Sequence, residues 1–201
     1  MKKLSAAVLA ILLIILTAGC RSESPRAVSV NAGEINNKAL ANITGNYAAR
    51  NFLPGEVKEE DLSAILQAGI RAPSARNGQP WHFTVVREND ALAKNIISNI
   101  SDGNVIIIIS GRGDGKTNND VILDCGLAVE NIYLAAQALG LGSRIYTGPI
   151  DTVNSKYKAG LGLPEDYSAV ALVRVGLIEQ TADAVSSASG RKDAGGLITY
   201  K

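Results

Sequence analysis

Residues 72–83 read APSARNGQPWHF. This stretch holds two of the chain's six prolines, its single tryptophan and its single histidine. Pro73 and Pro80 fix the backbone at both ends. Gly78 permits a close approach or a positive φ, and Ser74, Asn77 and Gln79 bring hydroxyl and amide groups. A rigid polar loop of this kind, set between a helix and a strand, suits the edge of a planar heteroaromatic ligand. The plainer reading is a structural turn. For Trp81 that reading is the better one, as a core residue, and His82 reads as packed or locally hydrogen-bonded. His82 has no second histidine to form a metal pair, so no metal site is expected.

A second stretch imitates a nucleotide site. IIIISGRGDGKT (106–117) is an apolar strand running into a glycine-rich loop that ends in Lys-Thr. A P-loop needs four residues between its first glycine and Gly-Lys-Ser/Thr. Here only three separate Gly111 from Gly115, and Ser110 stands where the first glycine belongs. A solvent-exposed polar connection is expected instead. Nor do the two cysteines carry chemistry by a shared bond. Cys125 falls on a predicted helix among apolar residues and reads as a small core residue, whereas Cys20 belongs to the N-terminal segment.

That segment starts MKK, continues through the apolar run AAVLAILLIILTAG and ends at Cys20. The run is short for a membrane span, which needs about 20 residues, and fits a secretory signal. LTAGC resembles a bacterial lipobox, although Thr17 stands where Leu is more usual. The expectation is therefore a signal segment over 1–20, lipidation of Cys20, a polar tether over 21–34 (RSESPRAVSVNAGE) and a domain over 35–201. The protein would then be extracytoplasmic and held to a membrane by its lipid. The alternative is a plain signal peptide or uncleaved anchor with Cys20 incidental. The formal charge is +1, and without Lys2 and Lys3 the 20 basic residues become 18 against 19 acidic ones. Such a balance gives no electrostatic footprint for nucleic acid.

The elements that must position the loop follow from periodicity. INNKALANI (35–43) reads as a short helix, and VKEEDLSAILQAGIRA (57–72) as an amphipathic one with an acidic first turn that suits the helix dipole. HFTVV (82–86) reads as a strand and 88–100 as a helix. NVIIIIS (104–110) is an apolar run of strand length, expected in the middle of a sheet covered on both faces. Residues 119–140 form the longest helix, apolar nearly all round and so expected to be buried. A weaker helix is expected over 151–162, a strand over 167–178 and a short strand-like piece at 197–201. This order supports one domain with helices on the faces of a sheet but leaves strand direction open.

The stretch APSARNGQPWHFTVV resembles the signature of the FMN-dependent nitroreductase family, in which a helix leads into A-P-S-x-x-N-x-Q-P-W-x-F and a strand. Residues 43–52 resemble the segment before that helix, 124–143 the family's long central helix with its glycine end, and 173–177 a late strand. The resemblance implies an α+β fold: a three-layer α-β-α sandwich around a mainly antiparallel sheet. It also implies a homodimer with FMN at the interface, each site drawing on both chains. Pro73, Ser74, Ala75 and Asn77 would contact the flavin, and a backbone N–H near Thr147 or Gly148 would meet its N5. Arg191 and Lys192 would meet the phosphate, together with Arg50, and LITYK would cross to the partner. The activity implied is ping-pong hydride transfer from a reduced donor such as NAD(P)H to a nitroaromatic, quinone or similar acceptor. Outside the cytoplasm, where nicotinamide nucleotides are scarce, a membrane carrier is a second candidate donor.

One departure stands out. Where the family usually has Arg-Arg-Ser-x-Arg, this chain reads Asn46-Tyr47-Ala48-Ala49-Arg50. Only Arg50 keeps its charge for a doubly charged phosphate. This supports a second reading, a membrane-anchored module that has lost its flavin and serves in binding alone.

Overall fold

The computed structural model describes residues 37–87, 91–115, 117–179, 192, 196–199 and 201. The expected signal segment, tether and Cys20 lie outside these residues, as does Arg191.

Hydrophobic periodicity and the acidic first turn produce helix α2, Glu59–Ile70, with Glu59, Glu60 and Asp61 at its positive end and Leu62 and Ile65 buried. A short helix, α1 (Lys38–Thr44), precedes it; its N-terminal amides are capped by the Asn37 side chain. The five strands are β1 (Phe52–Leu53), β2 (Trp81–Arg87), β3 (Val105–Arg112), β4 (Gly142–Tyr146) and β5 (Tyr167–Ile178). The long helix is α4, Asn119–Ala138. Two shorter ones, α3 (Ala93–Ile96) and α5 (Ile150–Thr152), complete the set, with a π turn over Val153–Tyr157.

The sheet runs β2-β3-β5, and β5 carries β4 and β1 along its far edge. Every pairing is antiparallel. The Ile-rich strand β3 lies inside, with Val105 to Ile109 all fully buried. Alternation sends Val105, Ile107 and Ile109 toward α2 and α4, and Ile106 and Ile108 toward Ile96, Ile97, Val153 and Leu161. The result is the three-layer α-β-α sandwich with an antiparallel sheet. One irregularity interrupts the β3–β5 register. Ile109 pairs with Ala171 and Ser110 with Ala169, so Val170 is the extra residue of a bulge.

Several expectations need correction. The helix expected over 88–100 is the four-residue α3 within the described residues. The weak helix expected over 151–162 is only α5 and the π turn. β4 was not expected, because its start reads as the glycine end of the preceding helix, and the two-residue β1 also escaped the pattern. Leu197 to Thr199 form no strand within this chain. Finally, α4 is not buried all round: Leu123 is 63% exposed and Leu127 36%, four residues apart on one outward face.

The close contact of α2 with α4 depends on Gly69. A Cβ there would lie 2.8 Å from Ile132 Cδ1 and Cγ1 and 3.2 Å from Phe83 Cζ. Ile132 is fully buried and cannot swing aside. At the opposite end, Arg174 is 1% exposed. Its Nε donates to Asn104 Oδ1 at 2.9 Å and its Nη2 to Ser101 Oγ at 3.1 Å, while Cζ sits 4.0 Å over the Phe52 ring. Burial lowers its pKa; a Tyr146 hydrogen bond works against that fall, and the Arg144 charge adds to it. This cation ties β1 and the 101–104 turn to β5.

Two outcomes follow from this packing. Gly69→Ala should destabilise by about 1–3 kcal/mol, the overpacking cost outweighing the helix propensity gained, as read from urea unfolding. Burial, then the Asp124 charge, pushes the Cys125 thiol up from 9.0 to about 12. The folded state therefore holds this proton when the unfolded chain has released it, so the thiol's contribution falls as pH rises from about 9 toward 12. At pH 9 Cys125 should resist iodoacetamide in the folded protein and react once urea unfolds it; alkylation at equal rates in both states would contradict this placement.

Candidate functional site

Helix α2 stops at Arg71 because Pro73 disfavours helical backbone at the residue before it. The chain then makes one tight 3₁₀ turn, Ala75–Asn77, before β2 begins at Trp81. Within it Asn77 N donates to the Ser74 carbonyl at 3.0 Å and Gly78 N to the Ala75 carbonyl at 2.9 Å. The Ser74 hydroxyl oxygen accepts from Gln79 N at 3.0 Å, closing the loop on itself. Arg76, Asn77 and Gln79 have φ of 52°, 55° and 45°. Gly78 itself sits at φ −71°. Its glycine serves closeness, since a Cβ there would come 3.1 Å from the Ala75 oxygen.

Of the residues singled out in this loop, Pro73, Ala75 and Asn77 are exposed and Ser74 is half-buried. Ala75 cannot offer its amide to a ligand: Ala75 N donates to Asp124 Oδ1 on α4 at 3.0 Å. Asn77 keeps its side-chain amide exposed, and the Ser74 hydroxyl retains its proton for donation. Trp81 and Phe83 stack parallel at 6.4 Å and pack on the core under α4, which anchors β2 behind the loop. His82 meets the Tyr167 ring edge-on at 5.9 Å, in keeping with a packing role. Asp124 was not singled out from the sequence; only its spacing on an apolar helix, one turn into α4, marked it.

The second group of candidates lies at the end of β4. Thr147 and Gly148 are exposed, and their N–H groups make no hydrogen bond among the described residues. A Cβ on Gly148 would touch nothing within 4 Å. The third group is the 46–50 segment. Gln137 holds Tyr47 by both backbone groups, accepting from its N at 3.2 Å and donating to its carbonyl at 3.1 Å. Gln137 also donates to Ser143 Oγ at 2.9 Å, and Ala49 N donates to the Ser143 carbonyl at 3.0 Å. Asn46 is spent locally, its side-chain amide donating to the Ile43 carbonyl. Ala48 brings no hydroxyl, which leaves Arg50, exposed at the surface, as the segment's cation. Lys192 is exposed.

Helix α4 separates these groups. The 73–79 loop docks at Asp124 and the 46–50 segment at Gln137, 13 residues and so about 20 Å along the helix. β4 runs away from the 46–50 segment, and from Ser143 to Thr147 is about 13 Å of strand. In the 111–117 loop Asp114 accepts from Thr117 N at 3.0 Å and from its hydroxyl at 2.9 Å, so both Thr117 donors are already engaged.

Comparison with known proteins agrees with this architecture. A nitroreductase-family model matches residues 43–104 and 97–177. A protein of Archaeoglobus fulgidus that bears the provisional name NADH dehydrogenase/NAD(P)H nitroreductase is 34% identical over 150 residues, covering 69% of this chain and 84% of its own. One of Methanothermobacter thermautotrophicus under the same name is 32% identical over 145 residues, with 68% and 75% covered. Among solved structures, a provisionally assigned nitroreductase of Desulfovibrio desulfuricans in complex with FMN superposes with a TM-score of 0.69 at 28% identity, covering 82% of this chain and 97% of that one. On the matched span, the identities and the shared fold, this chain belongs to the nitroreductase family.

Proposed function

We propose that the protein is an FMN-dependent oxidoreductase that takes a hydride from a reduced donor and passes it to a nitroaromatic, quinone or similar acceptor. The observation that carries this is the self-closed polar loop at Pro73–Gln79, clamped to α4 with Ser74 and Asn77 left to face a ligand. Relatives named for NAD(P)H and solved relatives holding FMN support it.

Bound FMN supplies the hydride chemistry. The chain's own residues bind and orient. Pro73, Ser74, Ala75 and Asn77 would line the flavin ring, with Ala75 contributing surface rather than its amide. The unengaged N–H of Thr147 or Gly148 would donate to the ring nitrogen N5, and Arg50, Lys192 and Arg191 would hold the phosphate. A Cβ on Gly148 would meet nothing within 4 Å among the described residues, which leaves room for donor and acceptor to use the same face in turn.

The separation along α4 and the exposed Leu123–Leu127 face support a homodimer in which one protomer's 73–79 loop meets the partner's 147–148 amides. The lipobox-like LTAGC supports an extracytoplasmic protein tethered through lipidated Cys20. The replaced Asn46 and Ala48 favour the second reading, a flavin-free binding module.

Three measurements decide between these readings. Protein comprising residues 21–201, mixed with FMN and desalted, should stay yellow; a colourless product at high FMN overturns the enzyme reading. Arg50→Ala should raise the FMN Kd about tenfold, the worth of one charge-assisted hydrogen bond, and leave riboflavin binding unchanged. Equal losses for both ligands would remove Arg50 from the phosphate site. In the full chain, Cys20→Ser should abolish fatty-acid labelling and release the protein from the membrane fraction, whereas unchanged labelling would refute the anchor.

A further inference from the structure

The 73–79 loop carries its backbone strain on the wrong residues. Left-handed backbone is the preserve of glycine and, less often, asparagine. Here Arg76 and Gln79 adopt it alongside Asn77, while Gly78 lies at an ordinary negative φ. Such conformations persist only when surrounding contacts over-determine them. Three of the loop's hydrogen bonds are internal, running from Asn77 N, Gly78 N and Gln79 N to Ser74 or Ala75 oxygens. They give the loop a shape but not a place.

Its place comes from Asp124. This carboxylate is 4% exposed, on a helix face beside the buried Cys125, and no basic side chain among the described residues pairs with it. A buried carboxylate without a cation is costly. What it does is accept the Ala75 N–H, at the residue before the first left-handed one. The amide lost to any ligand is thereby used to fix the orientation of the whole turn. Asn131, seven residues on, does the same for α2, donating to the Ala68 carbonyl at 3.0 Å.

We propose that Asp124 is a positioning residue: through its acceptor oxygen it holds the 74–79 loop in its left-handed shape before any flavin arrives. This rests on the reading of that loop as the FMN-binding loop. Preorganisation of this kind raises affinity by removing the cost of ordering the loop on binding. The acceptor matters rather than the charge, so asparagine, which keeps the oxygen, replaces it.

Arg76 is exposed inside the loop, and trypsin cleavage after it reads loop order without flavin. Wild type, Asp124→Ala and Asp124→Asn are compared well below their unfolding temperatures, by that cleavage rate and by the FMN Kd from fluorescence. Asp124→Ala should be cut after Arg76 about tenfold faster and bind FMN about tenfold more weakly, and Asp124→Asn should stay within about twofold of wild type in both. Unchanged cleavage in Asp124→Ala overturns the proposal, as does an Asp124→Asn as impaired as Asp124→Ala. Should Asp124→Ala not fold, hydrogen exchange at the Ala75 amide of wild type takes its place, slow exchange supporting the anchor and fast exchange refuting it. If cleavage responds as expected but wild type retains no FMN, the flavin reading fails and the anchoring stands.

Discussion

The architecture depends on the obligation of α4, a largely apolar helix, to satisfy the backbone groups of segments that pack against it. A buried N–H or C=O without a partner costs more than most hydrogen bonds return. Asp124 meets the Ala75 amide, Asn131 the Ala68 carbonyl, and Gln137 both polar groups of Tyr47. In return, Asn42 of α1 donates to the Leu134 carbonyl at 3.0 Å. Each of these contacts joins segments more than 45 residues apart in sequence. The helix thus gathers on one rigid support the loop, the helix before it and the 46–50 segment, all fixed to the same side of the sheet.

The sheet supplies the rigidity. β3 is buried on both faces, and its isoleucines divide between two apolar layers. At one end the layers are closed by Arg174, a cation with no carboxylate partner among the described residues, held by Asn104, Ser101 and the Phe52 ring. Hydrogen bonds and a ring quadrupole offset its desolvation. At the other end the β5 bulge leaves the Ala169 backbone to the Asn154 side chain, which accepts from its N at 2.7 Å and donates to its O at 3.1 Å. β4 has already ended by then, and the amides of its departing chain, Thr147–Gly148, make no hydrogen bond among the described residues.

The family's fold is therefore intact, while the 46–50 segment carries a single cation, Arg50. Asn46 and Ala48 carry no charge, and the segment that holds them is fixed by two hydrogen bonds between the Gln137 side chain and the Tyr47 backbone and by Ala49 N donating to the Ser143 carbonyl. Backbone placement and side-chain chemistry have separated here. The segment's backbone is fixed by α4, and its charge rests on Arg50.

Much of this was legible in the chain itself. Apolar period and run length gave α2, β2, β3, α4 and β5, because each buries enough surface to impose its own pattern. Pro73 and Pro80 marked the loop, since proline restricts the backbone wherever it stands. The short β1 and β4 were hidden. Two and five residues leave too little periodicity, and β4 exists because β5 offers it an edge. The exposed leucines of α4 looked like core, since composition cannot tell which apolar face meets the sheet. Asp124 read as one more helix residue. Its role depends on the Ala75 amide, 49 residues away in sequence. Local residue chemistry thus determined which loop could face a ligand. Only tertiary contact decided how that loop is held and which of its groups remain available, because the bonds that do so span the chain.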